Sequence, residues 1–314
     1  MAAVGAVRLV CILSENWTLV DAPDLRALVR LAREAEDAGW DAVMVSEHVV
    51  LGRGADEHGV PANPRDYALP GNQDPATPWP SSLVLLSAVA AATEHLRLVA
   101  GAIIAPLRHP LGLAKDLASL DVVSEGRLVV QPTVSWHEPE YEALGVPFRR
   151  RGALLDEHLV AWEAAWRSSP ASYAGEAYAF EDVWVEPKPF RPDGPTLWFG
   201  GESLHPRLLR RLVRSGRGWN PLGAPKPGEL EHLHDSLRKA GRDPGEVELV
   251  GGTRGVFPDD GRPAPLESAL EQIPAQVERG FRTICVKPSQ FTDDPGDVPR
   301  LLRETVRRVE TLVS

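Results

Sequence analysis

Apolar positions in this chain alternate between two habits. Short runs of consecutive apolar residues read as strands buried on both faces, and between them lie stretches with apolar residues three and four apart, the period of a helix. The short runs are Val7 to Leu13, Ala42 to Glu47, Leu96 to Ala102, Arg127 to Gln131, Thr196 to Gly200, Gly218 to Asn220, Glu248 to Gly252 and Thr283 to Lys287. Helical periodicity fills most gaps. Asp24 to Ala38 carries Leu25, Leu28, Val29, Ala32 and Ala35 on one stripe and stops at Gly39, a natural C-terminal cap. Ser81 to Thr93, Leu111 to Val123, Leu154 to Trp166, Pro206 to Val213, Glu229 to Ala240 and Val298 to Val313 follow the same pattern.

Strands separated by helices imply a parallel sheet, and eight is the number at which such a sheet closes into a (β/α)8 TIM barrel. The competing open doubly wound sheet wants a glycine-rich turn after its first strand, yet here that strand runs into Ser14-Glu15-Asn16-Trp17. The α/β barrel is therefore the expected fold, as one domain over 1–314. Two segments break its rhythm. Residues 51–80 are rich in Gly and Pro and too long for a plain connection, the kind of loop that carries function. Aromatic alternation in YAGEAYAFEDVWVEPKPF predicts a hairpin near 172–186.

Composition narrows the function. The 314 residues are 43% hydrophobic and 25% charged, and Lys+Arg 34 against Asp+Glu 44 gives a net charge of -10 without a long basic run, which argues against nucleic acid. The opening MAAVGAVRLVCIL is too short in apolar length for a cleavable signal, and no stretch is long enough to span a bilayer. The only cysteines, Cys11 and Cys285, fall inside strand-like runs, so they read as inert buried thiols in a reducing, cytoplasmic setting.

Reactive groups of such a barrel come from the C-terminal ends of its strands. That rule selects Glu47 and His48, then Ala100, Gly101 and Ala102. It goes on to Thr133, Ser135, Trp136 and His137 after the fourth strand, Gly200, Gly201, Glu202 and Ser203 after the fifth, and Trp219 in the sixth. Metal-ligand clusters, a Walker-type GKS or GKT loop and a GxSxG elbow are all missing, and His232 with His234 reads as a solvated helix face. Small residues, hydroxyls and indoles suit a flat conjugated ligand and a small-molecule substrate. Gly200-Gly201-Glu202-Ser203 either cradles a phosphate at a helix start or merely turns the chain with Ser203 as a cap. In Arg108-His109-Pro110, a helix start is favoured over an anion contact. A lone strand-end histidine such as His48 is as often structural as it is a proton-transfer group.

Several of these stretches, in one order and spacing, resemble the luciferase-like monooxygenase superfamily of flavin-dependent monooxygenases and coenzyme F420-dependent oxidoreductases. They are EAEDAGWDAVMVSEHVV, LRLVAGAIIAPLRHPLGLAKDLASLDVVSEGRL, YEALGVPFRRRGALLDEHL, and PTLWFGGES followed by GRGWNPLG, from about Val7 to Trp219. The resemblance implies a flavin or deazaflavin ring across the barrel top, with His48 beside its reactive face as acid or base and Glu47 next to it. It implies a non-prolyl cis peptide at Gly101-Ala102, and it favours Gly201, Glu202 and Ser203 as a phosphate-binding turn. Trp17, Trp136, His137 and Trp219 are expected to shape the substrate pocket, between the 51–80 loop and the strand-four turn. A homodimer is also implied. One departure stands out: where the family usually reads GxGxG after strand four, this chain reads Gln131-Pro132-Thr133-Val134-Ser135-Trp136, with Val134 in place of luciferase's phosphate-binding arginine. The wording of the motifs favours F420-dependent hydride transfer. A reduced-FMN monooxygenase using dioxygen is the alternative, and a non-catalytic flavin binder is the third reading.

Overall fold

The computed structural model describes residues 6–22, 24–258 and 261–313. Residues 1–5, the start of the stretch read above for a signal peptide, lie outside them. Eight strands hydrogen-bond in a closed parallel barrel: β1 (Arg8–Ile12), β2 (Ala42–Val45), β3 (Arg97–Ile104), β4 (Leu128–Thr133), β7 (Thr196–Gly200), β8 (Gly218–Asn220), β9 (Glu248–Gly252) and β10 (Thr283–Val286). The order round the barrel is β1-β10-β9-β8-β7-β4-β3-β2, as a (β/α)8 fold requires. The remaining strands, β5 (Ala171–Ala174) and β6 (Ala179–Val183), form the expected antiparallel hairpin.

The chain divides into two compact units. The first comprises residues 1–44, 61–67 and 197–314. Here β1 lies between β10 and β2, with Val10 opposite Cys285 and Ala42. Their apolar runs are unbroken because both faces of each strand are covered. Around them lie α1 (Leu25–Asp37), α6 (Pro206–Ser215), α7 (Glu229–Lys239), α8 (Leu266–Leu270), α9 (Ile273–Glu278) and α10 (Val298–Val313). Asp24 caps α1 by accepting from the Ala27 amide at 3.2 Å, and Gly39 supplies the left-handed turn beyond it at φ +86°. Both cysteines are buried and free, and burial pushes the Cys285 thiol up to about 12 and Cys11 higher still.

Segment 61–67, from the middle of the long loop, is pinned within this first unit. Arg65 forks onto Asp293, Asn63 Nδ2 donates to the Arg262 carbonyl at 3.1 Å, and Tyr67 Oη donates to the Thr253 carbonyl at 3.2 Å. Lys287, with no exposed surface, donates to the Asp66 carbonyl at 3.0 Å and lies 5.4 Å over the Tyr67 ring. Burial holds that ammonium below the usual lysine range, because one carbonyl and one ring face replace a full hydration shell.

The second unit comprises residues 45–60 and 68–196. It holds β3 and β4 with α2 (Ser82–Ala92), α3 (Pro110–Val123), α4 (Glu138–Ala143), α5 (Arg151–Arg167) and the hairpin. Trp162 and Trp166 stack at 5.6 Å on α5 and donate their indole N–H groups to the Pro110 and Ala114 carbonyls of α3, which locks the two helices in register. Pro110 opens α3 at its first turn and His109 caps it by accepting from the Leu111 amide at 3.3 Å, as the sequence favoured. Residues 51–60 and 68–80 form turns without regular elements. The β3–β4 register slips between Gly101 and Ile103, and the Gly101–Ala102 peptide in that slip is cis.

Candidate active site

β2 is buried at all four positions and delivers Glu47 and His48 just beyond its end. The two side chains part company there. Glu47 turns into the second unit with 1% of its side chain exposed. Its Oε1 accepts from Arg108 Nη1 at 2.7 Å and from the Ile104 amide at 3.1 Å. Its Oε2 accepts from Ser82 Oγ at 2.7 Å, Arg108 Nη2 at 3.1 Å and the Ser82 amide at 3.4 Å. A carboxylate so fully engaged has no lone pair left for a substrate. The expected catalytic role of Glu47 is therefore corrected: it clamps the ends of β2 and β3 to the first turn of α2, and Arg108 is its ion-pair partner.

His48 finds its acid elsewhere. Its Nδ1 lies 3.2 Å from Glu140 Oε2, with 8% of the His48 side chain and none of the Glu140 side chain exposed. Glu140 Oε1 also accepts from the Val49 amide at 2.6 Å and the Val50 amide at 3.3 Å, and Ser135 Oγ reaches Oε2 at 3.4 Å. A carboxylate can only accept, so in neutral His48 the proton sits on Nδ1 and Nε2 is the bare basic nitrogen. Two indoles meet the imidazole nearly at right angles, Trp79 at 5.2 Å and Trp136 at 6.0 Å between ring centres. Trp79 Nε1 is buried and has no hydrogen-bond partner among the described residues.

Sequence reasoning missed Glu140 and Trp79. Glu140 belongs to α4, a single short helix in a stretch to which the sequence reading gave no element, whose start is signalled by Pro139 in its first turn and by Glu138 and Glu140 near the positive end. Trp79 sits late in the long loop, where nothing local indicates its target.

The other expected residues divide by unit. In the second, Ala100 is fully buried in β3, and Thr133 Oγ1 accepts from the Ser135 amide at 3.4 Å. Ser135 adopts a left-handed φ of 54°, which turns its hydroxyl to Glu140. His137, expected in the substrate pocket, is 2% exposed and accepts from the Gly52 amide through Nε2 at 2.8 Å. In this way His137 ties down the start of the long loop. Gly52 sits so close to α4 that a Cβ there would come within 2.8 Å of Pro139 Cβ. Gly52→Ala is expected to cost about 1–3 kcal/mol, read as a lowered urea midpoint with an unchanged slope.

Burial pushes the His137 imidazole below the ordinary histidine range, with Glu140 opposing and His48 reinforcing that shift. The unfolded chain takes up this proton near pH 6.5 while the folded chain resists it. The stabilisation is thus complete above about pH 6.5 and is lost as pH falls through the lower folded value. Hydrogen exchange at the Gly52 amide is expected to lose protection as pH falls below about 6.5 while amides of α10, which has no histidine, keep theirs, once rates are corrected for intrinsic chemistry. Equal losses in both would show that His137 is not the cause.

In the first unit, Gly200-Gly201-Glu202-Ser203 leaves β7 and leads to α6. The Gly201 amide donates to the Asn220 carbonyl at 3.1 Å, and the helix is capped by His205, whose Nδ1 accepts from the Leu208 amide at 3.2 Å. Ser203 is therefore not the cap. Trp219 has no exposed surface and packs in β8 opposite Phe199. Expected to shape a substrate pocket, Trp219 sits here in the core, with no hydrogen-bond partner for its Nε1 among the described residues. Trp17 is half-buried and lines a cleft of about 410 Å³ with Arg30, Glu34 and Asp293.

Comparisons with known proteins bear on the family and the fold. The family model for luciferase-like monooxygenases matches residues 8–297. An uncharacterized protein of Mycobacterium tuberculosis (strain ATCC 25618 / H37Rv) is 34% identical over 223 residues, 68% of this chain and 74% of that one. An FMNH(2)-dependent dimethylsulfone monooxygenase of Pseudomonas putida is 28% identical over 187 residues, 59% of this chain and 46% of that one. Among solved structures, a monooxygenase from Streptomyces bottropensis superposes with a TM-score of 0.74 at 18% identity, covering 98% of this chain and 100% of that one. An F420-dependent secondary alcohol dehydrogenase bound to an F420-acetone adduct gives 0.70 at 14% identity, covering 97% and 99%. Structures so distant in sequence speak for the fold alone, but the family match spans nearly the whole chain. With its closed parallel barrel and a histidine at the end of β2, the chain belongs to the luciferase-like monooxygenase family.

Proposed function

We propose that the protein is an oxidoreductase that holds a deazaflavin, coenzyme F420, and exchanges a hydride between it and a small organic substrate. The His48–Glu140 pair carries this reading. Hydride exchange at an alcohol or carbonyl carbon needs a proton to leave or reach the neighbouring oxygen, and His48 Nε2 is the group that takes or gives it. Glu140 holds Nδ1, so the neutral ring keeps one tautomer with Nε2 unprotonated. Trp79 and Trp136, each nearly perpendicular to the imidazole, pack against it and shield it from water.

The residues suit a tricyclic ring. Small residues at Gly101 and Ala102 let it approach the backbone, and Trp79 Nε1 is a buried donor in want of an acceptor. Gly201, Glu202 and Ser203 are proposed to receive the phosphate. When bound, the ring supplies the two-electron chemistry, and the chain supplies binding, orientation and the proton path. The likeness to an FMNH(2)-dependent monooxygenase supports a second reading, in which reduced FMN and dioxygen serve the same pocket.

Reconstitution separates these readings. Tight binding of F420 and not FMN, with loss of deazaflavin fluorescence on adding a secondary alcohol or ketone panel, is the expected result. Oxygen uptake with FMN and a flavin reductase would establish the second reading, and FMN held without turnover would leave a flavin carrier.

A further inference from the structure

The turn proposed for the cofactor phosphate already holds an anion of the chain's own. Glu229, the first residue of α7, extends its carboxylate so that Oε1 accepts from the Leu204 amide at 2.7 Å and Oε2 from the Lys226 amide at 2.8 Å. One carboxylate thus joins the end of the Gly201–Ser203 turn to the segment after β8. It reveals that amides here converge on negative charge, and it takes one of them. What remains at the turn is the Glu202 and Ser203 amides and the Ser203 hydroxyl, to which no partner is bound among the described residues. The imidazole that follows the turn, His205, is exposed, and its Nδ1 lacks a proton because it accepts from the Leu208 amide.

We infer that Glu229 sets cofactor preference by charge, admitting a singly charged phosphodiester and disfavouring a doubly charged phosphate monoester. The inference rests on the phosphate assignment proposed above. A phosphate monoester carries close to two negative charges at neutral pH because its second ionisation falls near 6. A diester keeps one. Each added charge beside a fixed carboxylate is repelled at a range shorter than the screening length of physiological salt. FMN ends in a monoester, whereas F420 carries its phosphate as a diester, so the same carboxylate penalises the first about twice as heavily.

Glu229→Gln tests this directly, since the amide oxygen can still accept from one of the two amides while the charge is gone. Binding of FMN and of riboflavin, which has the same ring and no phosphate, is followed by fluorescence quenching on the full chain. Stabilisation by inorganic phosphate is followed by thermal unfolding. The exposed Glu231→Gln, two residues along the same helix, controls for net charge. Glu229→Gln is expected to tighten FMN about tenfold, leave riboflavin within twofold, and raise the unfolding temperature in phosphate more than it does for the wild type or Glu231→Gln. Absence of that extra phosphate stabilisation, or equal shifts for FMN and riboflavin, overturns the inference. A gain in phosphate stabilisation with no binding of flavin or deazaflavin by either form keeps Glu229's role in anion choice and removes the cofactor reading instead.

Discussion

His48→Ala is expected to lower turnover about a hundredfold while leaving the unfolding transition close to that of the wild type, as loss of an acid–base group does. Among the described residues the imidazole is held by one hydrogen bond, to Glu140, and by ring contacts, so removing it opens a small space beside Trp79 and Trp136 without stranding an ionised partner. Glu140 keeps the Val49 and Val50 amides as donors. Glu140→Gln makes the sharper comparison. It is expected to preserve those backbone contacts while weakening control of the tautomer, so turnover falls less and its pH profile moves. If His48→Ala retained activity within twofold, the proton would have to travel by another group and the His48–Glu140 assignment would fall.

Arg108→Ala is expected to cost about 3 kcal/mol of stability, the lower end for breaking a buried ion pair, because the arginine is a quarter exposed while Glu47 is sealed. The loss comes from a stranded carboxylate. A double variant, Glu47→Gln with Arg108→Met, is therefore expected to lose less than the two single changes summed, by 1 kcal/mol or more on the order of a typical coupled pair. Denaturant melts of the four proteins decide it, and additive losses would mean that the pair is incidental. Activity should fall with Arg108→Ala as well, since the same carboxylate fixes the Ile104 amide and the first turn of α2 around the residue before His48.

Much of the barrel was legible along the chain, and the reason is physical. β7, β8, β9 and α10 match the sequence reading residue for residue, because strands covered on both faces and a helix with one apolar stripe leave periodic signatures. Ends were less legible. β2 stops at Val45 and β3 continues to Ile104, since pairing with neighbouring strands sets a strand's end, and neighbours are not written locally. Short α4, α8 and α9 were not foreseen: five or six residues scarcely exceed one turn, too few for a period to show. The pocket divided in the same way. His48 could be chosen from its place after a strand, but Glu140, 92 residues on, could not be paired with it. The adjacent Glu47 was the natural acid to choose, and it was already committed to Arg108 across 61 residues.

The stitching of residues 61–67 has a consequence for protein engineering. Four side chains of that segment or facing it, Asn63, Arg65, Tyr67 and Lys287, engage partners that come from 253–293 or from the segment itself. The long insertion after β2 is therefore not a portable cassette. Transplanted alone into a homologous scaffold, it would arrive without Asp293 and Lys287 and lose its middle anchor; a chimera that exchanged both stretches together would keep it.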